Sequence, residues 1–186
     1  MPRNNRVVRY GAPERVKGAY EHYHETEAIV LSCLDPRYLL QVLQYFFIQR
    51  KMPVDAFSFP GNMQLLNERY GRTSMLKGSL EWMRDMKAAH KPKRIIYLIH
   101  AHVCGAYKIV GTEQRLLTPG ADKETLAREI RELQLDDMEF FRDEIAAKEF
   151  PDMPVEFYEV SVNPETDETA FTPVYIEAGQ EQAQAA

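Results

Sequence analysis

Cysteine is scarce in this chain: two residues, Cys33 and Cys104, among 186. So few thiols argue against a disulfide framework and suit a reducing compartment, so the cytoplasm is the expected location. A basic excess is missing too. The formal net charge is −5, which argues against a nucleic-acid partner, because phosphate binding needs a basic face. No run of eighteen or more apolar residues occurs, so no membrane span is expected. The opening "MPRNNRVVRYG" is basic but lacks the apolar stretch of a secretory leader. G-x-S-x-G, the P-loop, G-x-G-x-x-G and C-x-x-C are all absent. A cysteine-phosphatase loop needs arginine six residues after its cysteine, and position 39 is Leu39.

What is present is ordinary globular composition, 45% hydrophobic and 27% charged, in a length that suits one domain spanning 1–186. Residues 1–25 read as an arm bearing Tyr10, Tyr20 and Tyr23. "EAIVLSC" (27–33) is a short continuous apolar run, the pattern of a strand buried on both faces. Asp35 and Pro36 then suit an N-cap and first helical position. Leu39, Val42, Leu43 and Phe46 follow at helical spacing, with a helix end at "RKMP". That helix is apolar over much of its surface, which predicts deep packing or a subunit interface. "VDAFSFPG" (54–61) reads as a strand and turn, 74–91 as a helix closed by Pro92, and "RIIYLIH" (94–100) as a strand. The order β-α-β-α-β predicts an α/β fold with a central, mainly parallel sheet flanked by helices. Residues 121–150 have a helical period with a break expected near Leu135. Their charges read as a solvated face. "VEFYEVSV" (155–162) can pair with 168–176 across "NPETD", and 177–186 reads as a disordered tail.

The chemistry-bearing residues lie at strand ends. Cys33 closes one predicted strand and Cys104 falls four residues past another. Parallel strands end on one edge of the sheet, and open α/β sheets place their sites there. Two thiolates and an imidazole form a borderline-soft donor set that suits Zn²⁺ and leaves a fourth position open. His100 and His102 stand nearby in "IHAHVCGAY". Structural roles compete: small buried hydrophobes for the cysteines, an N-cap for Asp35, hydrogen-bonded residues for the histidines.

Cys33-Leu34-Asp35-Pro36-Arg37 resembles the C-x-D-x-R motif of the β-class carbonic anhydrases. "LIHAHVCGAY" is similar to that family's H-x-x-C-G motif, and "FPGNM" (59–63) resembles its glycine-asparagine turn, with Gly61 and Asn62 at the matching places. "SLEW" (79–82) resembles the helix segment before its third strand. The likeness runs from about residue 27 to residue 108, closest to the short prokaryotic members. It implies a β-carbonic-anhydrase-like fold, a homodimer or higher homo-oligomer, and zinc-dependent hydration of carbon dioxide to bicarbonate. Asp35 would either pair with Arg37, leaving the metal open, or bind the metal and close it. The match fails at one position. The family's metal-binding histidine lies three residues before the cysteine, and here that place is Ala101. In an extended chain His102 and Cys104 share a face roughly 6–7 Å apart, while His100 and Cys104 are roughly 13 Å apart. The expected ligands are therefore Cys33, His102 and Cys104. His100 is the alternative to His102, or a neighbouring base, if the chain turns sharply where Gly105 opens a helix. Two other outcomes stay open: a non-catalytic relative with a degenerate site, or a zinc hydrolase of carbon disulfide or carbonyl sulfide.

Overall fold

The computed structural model describes residues 25–62, 67, 70, 74–163, 165–166 and 168–176, without the side chains of 36–37 and 74–76. The predicted arm, apart from Glu25, and the tail 177–186 lie outside the described residues. So do His22 and His24.

Five strands form one sheet in the order β2-β1-β3-β4-β5. β1 (Ala28–Cys33) pairs in parallel with β2 (Val54–Phe59) and with β3 (Arg94–His100). β4 (Val155–Val162) continues the parallel set against β3. β5 (Thr169–Val174) closes the sheet antiparallel to β4, as the 155–176 hairpin pattern predicts. Ala28 to Leu31 and Ile95 to Ile99 are buried throughout. A strand covered by helices on both faces has no solvent side, which explains why these runs do not alternate.

One face carries α1 (Pro36–Leu43), continued by a wider π-helical turn over Gln44–Gln49. Tyr38, Val42 and Phe46 pack there on Val30, Ile96 and Leu98. The π turn is closed by the Arg50 amide donating to the Tyr45 carbonyl at 2.9 Å, and Tyr45 stacks on Phe171 at 3.9 Å. The other face carries α2 (Ser74–His90), the end of α4 (Lys123–Phe140), its π continuation Phe141–Ala146 and α5 (Ala147–Glu149). Tyr97 of β3 sits there between Phe141 and Phe157, ring centres 5.3 and 6.0 Å away. Each fully buried side chain of this size stabilises the fold by about 1.5–3 kcal/mol.

α4 begins at Asp122, whose carboxylate accepts from the Thr125 amide at 2.7 Å. The helix does not break near Leu135. It stays regular to Phe140 and then widens at Phe141, because Ile130, Leu133, Gln134, Asp137, Met138 and Phe141 keep one continuous buried stripe. Among the described residues no helix is long and apolar enough to cross a membrane.

Candidate metal centre

Cys33 is the last residue of β1 and His100 the last residue of β3. The two strands are neighbours, so both residues reach the same C-terminal sheet edge. The chain then turns. The Ala101 amide makes the last bond to β4, donating to the Val160 carbonyl at 3.0 Å. Residues 101–102 bend, and Cys104 becomes the N-cap of α3 (Gly105–Glu113). Helix opening at Gly105 thus folds Cys104 back over the strand end.

The result is a compact cluster. One donor atom from each of Cys33, His100 and Cys104 lies within 4.8 Å of the other two. The structure therefore brings in His100, the sequence alternative, and not His102. The preference for His102 assumed an extended chain through Cys104, and the bend at 101–102 removes that premise. His102 instead sets its ring edge-on to Tyr38, 5.7 Å between centres and 88° between planes. Tyr38 also stacks on His100 at 4.8 Å and 14°, which fixes the plane of that imidazole.

Burial makes His100 unusual. It is 3% exposed, and neither ring nitrogen has a hydrogen-bond partner among the described residues. A buried polar group left in that state costs about 1–3 kcal/mol, so a buried imidazole beside two sulfurs calls for a partner. Zinc fits the donor set. Thiolate sulfur and imidazole nitrogen bind it at about 2.0–2.3 Å, which puts tetrahedral donors about 3.5–3.8 Å apart. Donor atoms that all lie within 4.8 Å of one another are near that spacing.

The two thiols are unequal. The Cys104 thiol, donating to the Cys33 sulfur, holds Cys33 well below the ordinary thiol value, against the opposing effect of burial and with help from His100 and the Gly61 amide. Cys104 moves up for the complementary reason, its bond to Cys33, reinforced by burial. The Tyr107 and Ala106 amides of α3 offset part of that rise. The two adjacent sulfurs, Cys33 half-buried and Cys104 buried, thus titrate as one unequal pair with the thiolate character on Cys33. Gly61 and Asn62 form the turn after β2 with left-handed φ of 70° and 58°, and the Asn62 side-chain amide donates from Nδ2 to the Leu98 carbonyl of β3 at 2.6 Å. This is the glycine-asparagine turn singled out in the sequence.

Asp35 is half-buried at the head of α1, where its carbonyl accepts from the Tyr38 and Leu39 amides at 3.0 and 3.2 Å. Arg37 belongs to the first turn of the same helix, and its side chain lies outside the described residues. The void between the cluster and α1, bounded by Cys33, Tyr38, Val42 and His100, is only about 10 Å³. That is no more than one water molecule. Sequence reasoning missed Asp137, Tyr107 and Tyr70, a buried hydrogen-bonded group just behind Cys104. A signal existed: Asp137 falls on the apolar stripe of α4, where a carboxylate needs internal donors.

Comparison with solved structures finds β-carbonic anhydrases. A tetrameric β-carbonic anhydrase from the filamentous ascomycete Sordaria macrospora aligns at a TM-score of 0.47 and 13% identity, covering 82% of this chain and 84% of that one. The β-carbonic anhydrase CafA of Aspergillus fumigatus aligns at 0.46 and 12%, covering 80% and 75%. No protein-family model matches the chain, and no curated protein matches it by sequence. At this level of similarity the chemistry rests on the site's own geometry.

Proposed function

We propose that Cys33, His100 and Cys104 hold one zinc ion and that the protein hydrates carbon dioxide to bicarbonate. The observation that carries this reading is the buried His100 ring, unpartnered among the described residues, with its donor atom within 4.8 Å of two thiol sulfurs. Zinc bound there would supply a Lewis acid that acidifies water and so provides a nucleophile near neutral pH. The protein's part is to prepare the cage. Cys33 and Cys104 would bind as thiolates and present two negative charges. Tyr38 holds the His100 ring in plane, so the imidazole enters without rotational freedom to lose. Two thiolates place more charge on the metal than imidazoles do, which moves activity towards alkaline pH.

Asp35 and Arg37 have the catalytic roles in this reading, on the strength of the C-x-D-x-R resemblance. By that resemblance Arg37 would hold the Asp35 carboxylate in two-point contact, and Asp35 would accept a hydrogen bond from the reacting water. The same reading makes the protein a cytoplasmic homodimer or higher oligomer. Leu40, Phe47 and Ile48 on one side and Trp82 on another are large apolar side chains left exposed on this subunit, as a covered interface requires. Light scattering on the purified protein should give a mass of at least two chains.

The test is zinc content with stopped-flow carbon dioxide hydration, on the wild type and on Cys33→Ser. About one zinc per chain and measurable hydration, both lost in the variant, support the proposal. Zinc without hydration redirects it to carbon disulfide or carbonyl sulfide as substrate. Absence of zinc in both proteins makes the chain a non-catalytic relative and overturns it.

A further inference from the structure

Behind the cluster, one buried carboxylate gathers at least three donors among the described residues, from two different parts of the chain. Asp137 of α4 is 2% exposed. Its Oδ2 accepts from the Tyr107 hydroxyl at 2.6 Å and the Tyr70 hydroxyl at 3.0 Å, and its Oδ1 accepts from the Asn67 amide nitrogen at 2.7 Å. Tyr107, Tyr70 and Asn67 are buried as well. Burial pushes the Tyr107 hydroxyl well above its ordinary value, so it remains a donor.

These contacts lie beside both thiols, since Cys33 and Cys104 pack in one cluster with Tyr70 and Tyr107. Tyr107 lies one turn beyond Cys104 on α3, and its amide is among those that act on the Cys104 sulfur. Where the first turn of α3 sits therefore decides where that sulfur sits. Asn67 and Tyr70 belong to the stretch between β2 and α2. That stretch opens with Gly61, whose amide acts on Cys33, and with Asn62, which is bonded to β3. The Tyr70 and Tyr107 rings also meet edge to face at 6.3 Å. No other described carboxylate is so deeply buried.

We propose that Asp137 is a positioning residue for the metal cluster: through Tyr107 on one side and Asn67 and Tyr70 on the other, it fixes the separation of Cys104 from Cys33. This inference rests on the zinc reading and adds a residue that the C-x-D-x-R and histidine-cysteine motifs do not contain. Partners that orient metal ligands from outside the coordination shell typically change affinity by about 10–100-fold when removed.

The experiment uses Co²⁺ as the probe, titrated into metal-free full-length protein, with the thiolate-to-cobalt charge-transfer and ligand-field bands read by absorption. The proteins are wild type, Asp137→Asn and Tyr107→Phe. The expected result is Co²⁺ affinity lowered by about tenfold or more in Asp137→Asn and by less in Tyr107→Phe. Ligand-field bands should also change at saturation, because the donors meet the metal at a different spacing. If Asp137→Asn does not fold, Tyr107→Phe alone decides, since it removes one hydroxyl and no charge. Variants that melt earlier but bind Co²⁺ with wild-type affinity and spectrum would show a purely structural network and overturn the proposal, leaving the zinc reading intact. A wild type that binds no Co²⁺ overturns both.

Discussion

Gly111→Ala sets two opposed effects against each other at a measurable scale. Gly111 lies in α3, the helix that Cys104 caps. In a helix interior, Ala is favoured over Gly by roughly 0.5–1 kcal/mol, because Gly loses more backbone freedom on folding. Here a Cβ would meet Leu117 Cγ at 2.7 Å and Cδ1 at 2.8 Å. Both contacts are well inside van der Waals range, and one is to the branching carbon, so the whole Leu117 side chain must move. Leu117 is 8% exposed and packs with Tyr107, Val110 and Ile130. Overpacking of this kind costs about 1–3 kcal/mol. The clash wins, and the net loss should be about 1 kcal/mol. That is a fall of about 2–4 °C in melting temperature for a chain of this size. The decisive assay is a double-mutant cycle by thermal or urea unfolding. In a Leu117→Ala background the clash is gone, so Gly111→Ala should become stabilising by roughly 0.5–1 kcal/mol. A stabilising Gly111→Ala in the wild type, or the same loss in both backgrounds, would refute the packing argument.

Two further outcomes follow from the site. In metal-free protein Cys33 should be alkylated before Cys104, being the less buried sulfur and the one held as thiolate. Its folded-state value lies below the assay range. The iodoacetamide rate should therefore change less than about twofold between pH 6 and 8, where an ordinary thiol gains about 80-fold. Peptide mapping that finds Cys104 modified first, or a steep pH profile, contradicts that assignment. Arg37→Ala should lower carbon dioxide hydration by about tenfold or more with metal content unchanged, since Asp35 would then be free to turn to the metal. Unchanged hydration removes Arg37 from the mechanism.

The strands were legible because β1 and β3 are sheathed on both faces, and sheathing leaves a run such as Ile95 to Ile99 with no polar position. The hairpin was legible from the alternation written in "VEFYEVSV", although burial does not follow it, since Phe157 and Val160 are buried on opposite faces of the sheet. The π turns at 44–49 and 141–146 were not legible. A wider winding leaves the apolar stripe nearly intact, and the bond that defines one of them, from Arg50 to Tyr45, joins main-chain atoms only. At the site, both cysteines could be placed on one sheet edge from strand order alone. The histidine depended on a bend of two residues, Ala101 and His102, whose side chains carry no turn signal. Asp137 was passed over because α4 is rich in charge. Position along the stripe, not charge, distinguishes it from its solvated neighbours.

Zinc content measured side by side in His100→Ala and His102→Ala bears most directly on the proposed metal centre. Structural zinc sites bind with about 10–16 kcal/mol over four ligands, so one ligand is worth about 3 kcal/mol, or about 150-fold in affinity. His100→Ala should therefore lose its zinc on dialysis against a weak chelator. His102→Ala should keep about one zinc per chain while losing its edge contact with Tyr38. Zinc retained in His100→Ala and lost in His102→Ala would contradict the assignment.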